Sequence, residues 1–174
     1  MVLTLVTLGL GSCEKFFDPD QALIIKEEDF YKNWNEYRSA EMGLYALQQK
    51  LVDQIVILGE LRGDLLEVTP YAGKDLNDIY NFRISPDNTY ASPNTFYQLI
   101  GASNSLARKL EQEHPDVLDR STSITDFDRL YGEVLCMRAW AYFNAVKIYG
   151  KVPYIWPSLT SSEEITDYLN TSQK

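Results

Sequence analysis

The most regular pattern in the chain begins at Tyr37. Apolar residues recur at Tyr37, Ala40, Leu44, Leu47, Leu51, Ile55, Leu58, Leu61 and Leu65, a stripe of period near 3.6 that predicts one long amphipathic helix. Asn33 or Asn35 offers an N-cap, and Glu36 lies in the first turn, where a negative charge meets the positive end of the helix dipole. Thr69-Pro70 stops the pattern, and a segment this long also accommodates a break near Gln48 to Gln54. A second stripe holds Phe96, Leu99, Ile100, Ser103, Leu106, Ala107 and Leu110. It follows Ser92-Pro93, a Ser cap with Pro at the first helical position, and fades at Glu113-His114-Pro115. After the polar stretch Asp116 to Thr125, a third helix is expected from about Asp126 to Tyr149. Its face includes Phe127, Leu130, Val134, Met137, Trp140, Ala141, Asn144, Ala145 and Ile148. Asp126 and Asp128 suit its N-terminus and Lys147 its C-terminus. Gly150 is placed as the left-handed stop, and Val152-Pro153-Tyr154 leaves in extended form. The tail from Ser158 is polar, with a short helix expected at Glu163 to Leu169. Alternation of period two is not visible, so the fold class is mostly α. Helix-turn-helix pairs of roughly repeat size fit, although no fixed period stands out.

Thr69 to Ser92 breaks this pattern. It holds Pro70, Gly73, Pro86 and several Asn and Asp residues, which read as a long loop. It also holds Tyr71, Tyr80, Phe82 and Tyr90. A structureless segment of this length inside a compact domain is usually functional or partly ordered.

The first thirteen residues differ again. Val2 to Leu10 is apolar and uncharged, the length of a signal-peptide core and too short to span a bilayer. It ends in Leu10-Gly11-Ser12-Cys13, which resembles the bacterial lipobox. Residues 1–12 are therefore expected to be a signal peptide. Cys13 is expected to be the lipidated first mature residue, and residues 13–34 a tether and lead-in that join the chain to a membrane. No Lys or Arg lies between Met1 and Cys13, and a gene start placed too late accounts for that.

Composition narrows the classes. The 174 residues suffice for one ordinary core, and 45% are hydrophobic, as in globular domains. A net charge of −9 repels nucleic-acid phosphates, so no nucleic-acid partner is expected. Two cysteines and one histidine without metal-ligand spacing cannot make a standard zinc site, so no metal and no cofactor are expected. Cys136, among apolar neighbours, reads as inert core. Asp75/Asp78 and Asp126/Asp128 read as solvated or capping acids, not as glycosidase carboxylates. No catalytic motif is present. Arg62-Gly63-Asp64 falls within the first stripe, so it is read as helix, with Asp64 bonding a nearby helix end.

One region is more specific. Tyr131-Gly132-Glu133 through Arg138-Ala139, Tyr142-Phe143 and Tyr149-Gly150-Lys151-Val152-Pro153 resembles the signature of the SusD-like (RagB/SusD) family, outer-membrane nutrient-uptake lipoproteins of Bacteroidetes. Lys151 replaces the usual Asp and Val134 the usual Ala. Gly59-Glu60-Leu61-Arg62-Gly63-Asp64 is similar to the family's Glu-Leu-(Arg)-x-Asp element. Phe96-Tyr97, Ile100 and Asn104 are similar to its aromatic–Ile–Asn helix.

The resemblance implies a fold of tetratricopeptide-type helix pairs with long connecting loops. It implies no enzyme activity, lipid anchoring at the outer membrane on the cell surface, and a SusC-like TonB-dependent transporter as partner. The ligand would be an oligosaccharide, or in some relatives a peptide. The expected body is residues 35–157, an N-terminal helical portion of the family domain, with 158–174 a tail preceding the rest of it. Asp64, Asn104, Glu133, Arg138, Gly150 and Pro153 would be structural. Glu133 and Arg138 are expected in a buried polar contact between neighbouring helices, and Asn104 is expected to satisfy backbone groups inside the packing. Sugars present C–H faces that stack on rings, and hydroxyls that seek amides, carboxylates and guanidinium groups. Tyr71, Asn77, Tyr80, Arg83 and Tyr90 are therefore the candidate ligand contacts, while Phe82 equally suits the core. A helical protein-interaction scaffold without its own ligand is the competing reading.

Overall fold

A computed structural model describes residues 30–113, 115, 126–159 and 161–172. Cys13, the expected signal peptide, most of the tether, His114 and the stretch Asp116 to Thr125 lie outside the described residues. Residues 33–174 form one compact unit, and the fold that follows is that of this unit.

Five helices make it up: α1 (Trp34–Glu60), α2 (Lys74–Tyr80), α3 (Asn94–Glu113), α4 (Asp126–Tyr149) and α5 (Ser162–Ser172). The described residues contain no strand, in keeping with a mostly α fold. Of these helices none is long and apolar enough to cross a membrane.

Asn33 starts α1. Its Oδ1 accepts from the Glu36 N–H at 3.3 Å, and its Nδ2 donates to Glu36 Oε1 at 2.8 Å. The first bond satisfies one orphaned backbone donor of the first turn, and the second ties the two side chains together. The helix passes through Gln48 to Gln54 unbroken and stops at Glu60, earlier than the stripe predicts. The N–H groups of Gly63 and Leu65 both donate to the Glu60 carbonyl. Arg62-Gly63-Asp64 is therefore the turn that ends the helix and not part of it. Asp64 does not bond a helix end with its side chain. It takes a left-handed φ of 63°, which a short polar side chain tolerates. Leu65 is 76% exposed and leaves the apolar face altogether.

The long loop is not structureless, because α2 forms within it. Seven residues are too few to show a period, and only Leu76, Ile79 and Tyr80 mark its inner side. Ile79 packs with Leu58 and Leu61, and Val68, Leu76, Tyr80, Ile84 and Tyr90 close around them.

The main core lies where α1, α3 and α4 touch one another. From α1, Tyr37, Leu44, Leu51 and Leu58 point inward. From α3 come Phe96, Leu99, Ile100, Leu106, Ala107 and Leu110. From α4 come Leu130, Val134, Met137, Ala141 and Ala145. Each fully buried Leu or Phe contributes roughly 1.5–3 kcal/mol of transfer free energy. The Phe96 ring meets Tyr149 edge-on, with centroids 6.0 Å apart, tying the start of α3 to the end of α4. Gly150 ends α4 at φ 78°, its N–H donating to the Val146 carbonyl. Any side chain there would be strained. A Ser161–Glu164 capping box opens α5.

Leu51→Ala should cost about 2–5 kcal/mol in urea unfolding. Leu65→Ala should change stability by less than about 0.5 kcal/mol. Comparable losses for the two would mean that the inward face of α1 is misassigned.

Candidate functional site

The five loop candidates divide into two groups. Tyr71 stands in a turn closed by the Ala72 N–H on the Thr69 carbonyl, with its side chain 97% exposed. Arg83 is also exposed. Asn77 is not open to a ligand, because its amide donates to the carbonyls of Ala72 (2.8 Å) and Gly73 (3.1 Å). Tyr80 and Tyr90 are half-buried against the Leu58–Leu61–Ile79 cluster. Three of the five therefore build the loop, and two face outward. Phe82 does not join the core. It is 67% exposed at φ 57°, with the Arg62 guanidinium 5.9 Å from its ring centroid.

Asp75, expected as a solvated or capping acid, and the amides of Asn88 and Gln54 hold this loop in place. Asp75 Oδ2 accepts from the Thr89 N–H at 3.1 Å and from Thr89 Oγ1 at 2.7 Å. These bonds hold its carboxyl below the usual carboxylate range. Buried Asn88 donates to the Asp75 carbonyl at 3.0 Å. Gln54 Nε2 lies within hydrogen-bonding distance of Tyr90 O, Ser92 O and Tyr149 Oη. One amide on α1 thus fastens both the loop and the end of α4. Asp78 is occupied by an ion pair with Lys74 at 2.6 Å, and Asp126 lies 3.7 Å from Arg129 within the first turn of α4. Neither acid pair forms two free carboxylates facing each other.

The signature residues meet beside the middle of α4, where Arg138 and Tyr142 face the segment that follows the helix. Asn104, 3% exposed, donates to the carbonyls of Ile155 (3.0 Å) and Pro157 (3.2 Å). Its Oδ1 accepts from Arg138 Nη1 at 2.9 Å. Arg138 also lies 4.1 Å over the Trp156 ring. Tyr97 donates to the Pro153 carbonyl at 2.8 Å. The Tyr142 hydroxyl donates to Ile155 O and accepts from Ile155 N–H, at 3.0 and 2.7 Å, and burial pushes its phenol up to about 12. Asn104 thus satisfies backbone groups, but those of the extended segment and not of a helix. Cys136 is exposed on α4 and is not core.

Glu133 and Arg138 reach two different neighbouring helices, α1 and α3. Glu133 turns toward α1, where Tyr45 donates to its Oε2 at 3.3 Å and the carboxyl of Glu41 lies within hydrogen-bonding reach. Glu41 is wholly buried. Its Oε2 is 2.6 Å from Arg38 Nη1, while its Oε1 has no partner. Burial first, then Glu133, pushes Glu41 up to about 7, with Arg38 pulling the other way.

Over residues 32–172 the chain matches the SusD-like family described as "Starch-binding associating with outer membrane". A SusD-like protein of Formosa agariphila is 28% identical to it over 181 residues. That alignment covers 99% of this chain and 33% of the relative, so the chain spans about a third of the relative's length. No solved structure matches the chain.

The Glu41 arrangement gives a pH dependence. Its ordinary value is 4.5 and its folded value about 7. Below the first, both states hold the proton and the contribution to stability is complete. Between the two the folded state alone holds it, so stability is lost as pH rises. Stability should fall from pH 5 to pH 8 by on the order of 1–3 kcal/mol from this group. Glu41→Gln, which keeps a neutral donor, should flatten that slope in thermal melts. An equal slope in wild type and variant would remove the pair as its cause.

Proposed function

Because the chain belongs to the SusD-like family, we propose that it is a non-enzymatic nutrient-binding lipoprotein portion that takes oligosaccharides at the outer membrane. The family is described as starch-binding and associated with that membrane. The match over residues 32–172 is the observation that carries this reading. In it, Cys13 carries the lipid anchor and holds the helical unit at the cell surface. A SusC-like TonB-dependent transporter is the partner that receives the ligand.

Binding without catalysis suits the chemistry of the loop. Asp75, Asp78 and Asp126 are engaged in the loop's own bonds or in ion pairs. The Tyr71 loop presents aromatic and cationic surface: Tyr71, Phe82 with Arg62, and Arg83. An exposed ring beside guanidinium groups suits a sugar's C–H face and its hydroxyls. Asn77, Tyr80 and Tyr90 act by shaping the loop that presents them. A peptide ligand would use the same rings and charges.

The second reading, a protein-interaction scaffold without its own ligand, is favoured by the outer side of α4 and the segment after it. Phe143 (63%), Tyr154 (59%), Trp156 (54%) and Val146 (48%) are all exposed there. Apolar surface of that kind commonly marks contact with another protein.

Calorimetry with a panel of oligosaccharides separates the two readings. On the first, one class binds, and Tyr71→Ala weakens it about three- to tenfold, or ~0.7–1.4 kcal/mol. Unchanged affinity in Tyr71→Ala and Arg83→Ala would remove the loop as the contact surface. Absence of binding by any member would leave the scaffold reading.

A further inference from the structure

Tyr45, Gln48, Gln49, Val52 and Asp53 lie three, four, seven and eight residues after the first of them, on one side of α1. Trp140 of α4 faces them. Together these six residues line a cleft of about 480 Å³, within the usual range for small-molecule sites. Its rings are held in place. Tyr45 is anchored through its hydroxyl to Glu133, and Trp140 is half-buried.

The polar groups of the cleft are unspent. The amides of Gln48 and Gln49, the Asp53 carboxylate and the Trp140 indole N–H have no hydrogen-bond partner among the described residues. Gln54, one turn further along α1, shows the contrast: its amide serves the loop and α4. Two rings, two free amides and one carboxylate converging on one concavity match the needs of a pyranose. Such a ring has an apolar C–H face and several hydroxyls that both donate and accept. Asp53 in the cleft and Glu133 at its rim disfavour an anionic sugar.

We propose that the α1–α4 cleft is a subsite for one neutral pyranose unit, stacked on Trp140 and Tyr45 and held by Gln48, Gln49 and Asp53. It is separate from the Tyr71 loop and rests on the carbohydrate-binding reading above. Val52, 47% exposed, covers part of the sugar's apolar edge.

The test titrates the full chain with maltoheptaose, cellohexaose, xylohexaose and hexagalacturonate. Tryptophan fluorescence and calorimetry provide the readouts, with circular-dichroism melts confirming folding. At least one neutral oligosaccharide should bind and perturb the fluorescence. Its affinity should fall at least fivefold in the Gln48→Ala/Gln49→Ala double variant and in Trp140→Phe, while Tyr71→Ala keeps the fluorescence change. Hexagalacturonate should bind at least tenfold more weakly than the best neutral probe. Neutral binding that persists at wild-type strength in both cleft variants overturns the subsite and leaves the family reading intact. Equal affinity for hexagalacturonate overturns the assignment to neutral sugars. No binding of any probe by the wild type overturns both.

Discussion

A single buried amide governs the end of this molecule that carries the signature. When α4 stops at Gly150, the chain runs back along α3 in extended form, and its carbonyls have no helical partner. Buried carbonyls must be satisfied, and Asn104 satisfies two of them, on Ile155 and Pro157. Its remaining oxygen takes the Arg138 guanidinium, which in turn stacks on Trp156. Helix α3, helix α4 and the outgoing segment are therefore joined through one side chain. A hydrophobic residue at that position would pack, but it would leave two carbonyls and a half-buried guanidinium unmatched.

The loop after α1 is held by the same device with different residues. Gln54 on α1 gathers the loop carbonyls of Tyr90 and Ser92 and the Tyr149 hydroxyl, and Asp75 closes the loop onto Thr89. The loop and the outgoing segment are fixed by amides, and the middle by the interlocking Leu, Phe and Ala faces of α1, α3 and α4. This division explains why the residues suited to a ligand are few and peripheral. Most polar side chains near the core are occupied by backbone, and those left open lie on the Tyr71 loop and on the outward side of α1. Function of this kind is grafted on a scaffold and not implied by it.

Much of this was legible from period and punctuation. The three long helices follow from stripes of period 3.6, and their ends from Asn33 with Glu36, Ser92-Pro93, and Gly150. The failures have physical causes. Helix α2 is only seven residues long, shorter than two full periods. The stripe through Leu65 overran the helix, because apolar spacing alone does not register the turn carried by Gly63 and Asp64. Glu133 and Arg138 lie five residues apart, which turns the helix face by roughly 140° at 100° per residue. They accordingly serve different neighbours. Tyr71, Tyr80 and Tyr90 are indistinguishable as letters, and only packing on Leu58, Leu61 and Ile79 separates the exposed ring from the two that build. The α1–α4 cleft needs Trp140 across from α1, a contact that spans most of the chain.

Residue-resolved hydrogen exchange at the Ile155 amide reads out whether Asn104 holds the outgoing segment. In the wild type that N–H is held by the Tyr142 hydroxyl at 2.7 Å, in a segment that Asn104 keeps in place. Asn104→Ala should raise its exchange rate at least tenfold, while Leu51 in the middle of α1 keeps most of its protection. Unchanged protection at Ile155 in the variant would show that the segment is held by other means and would contradict the account.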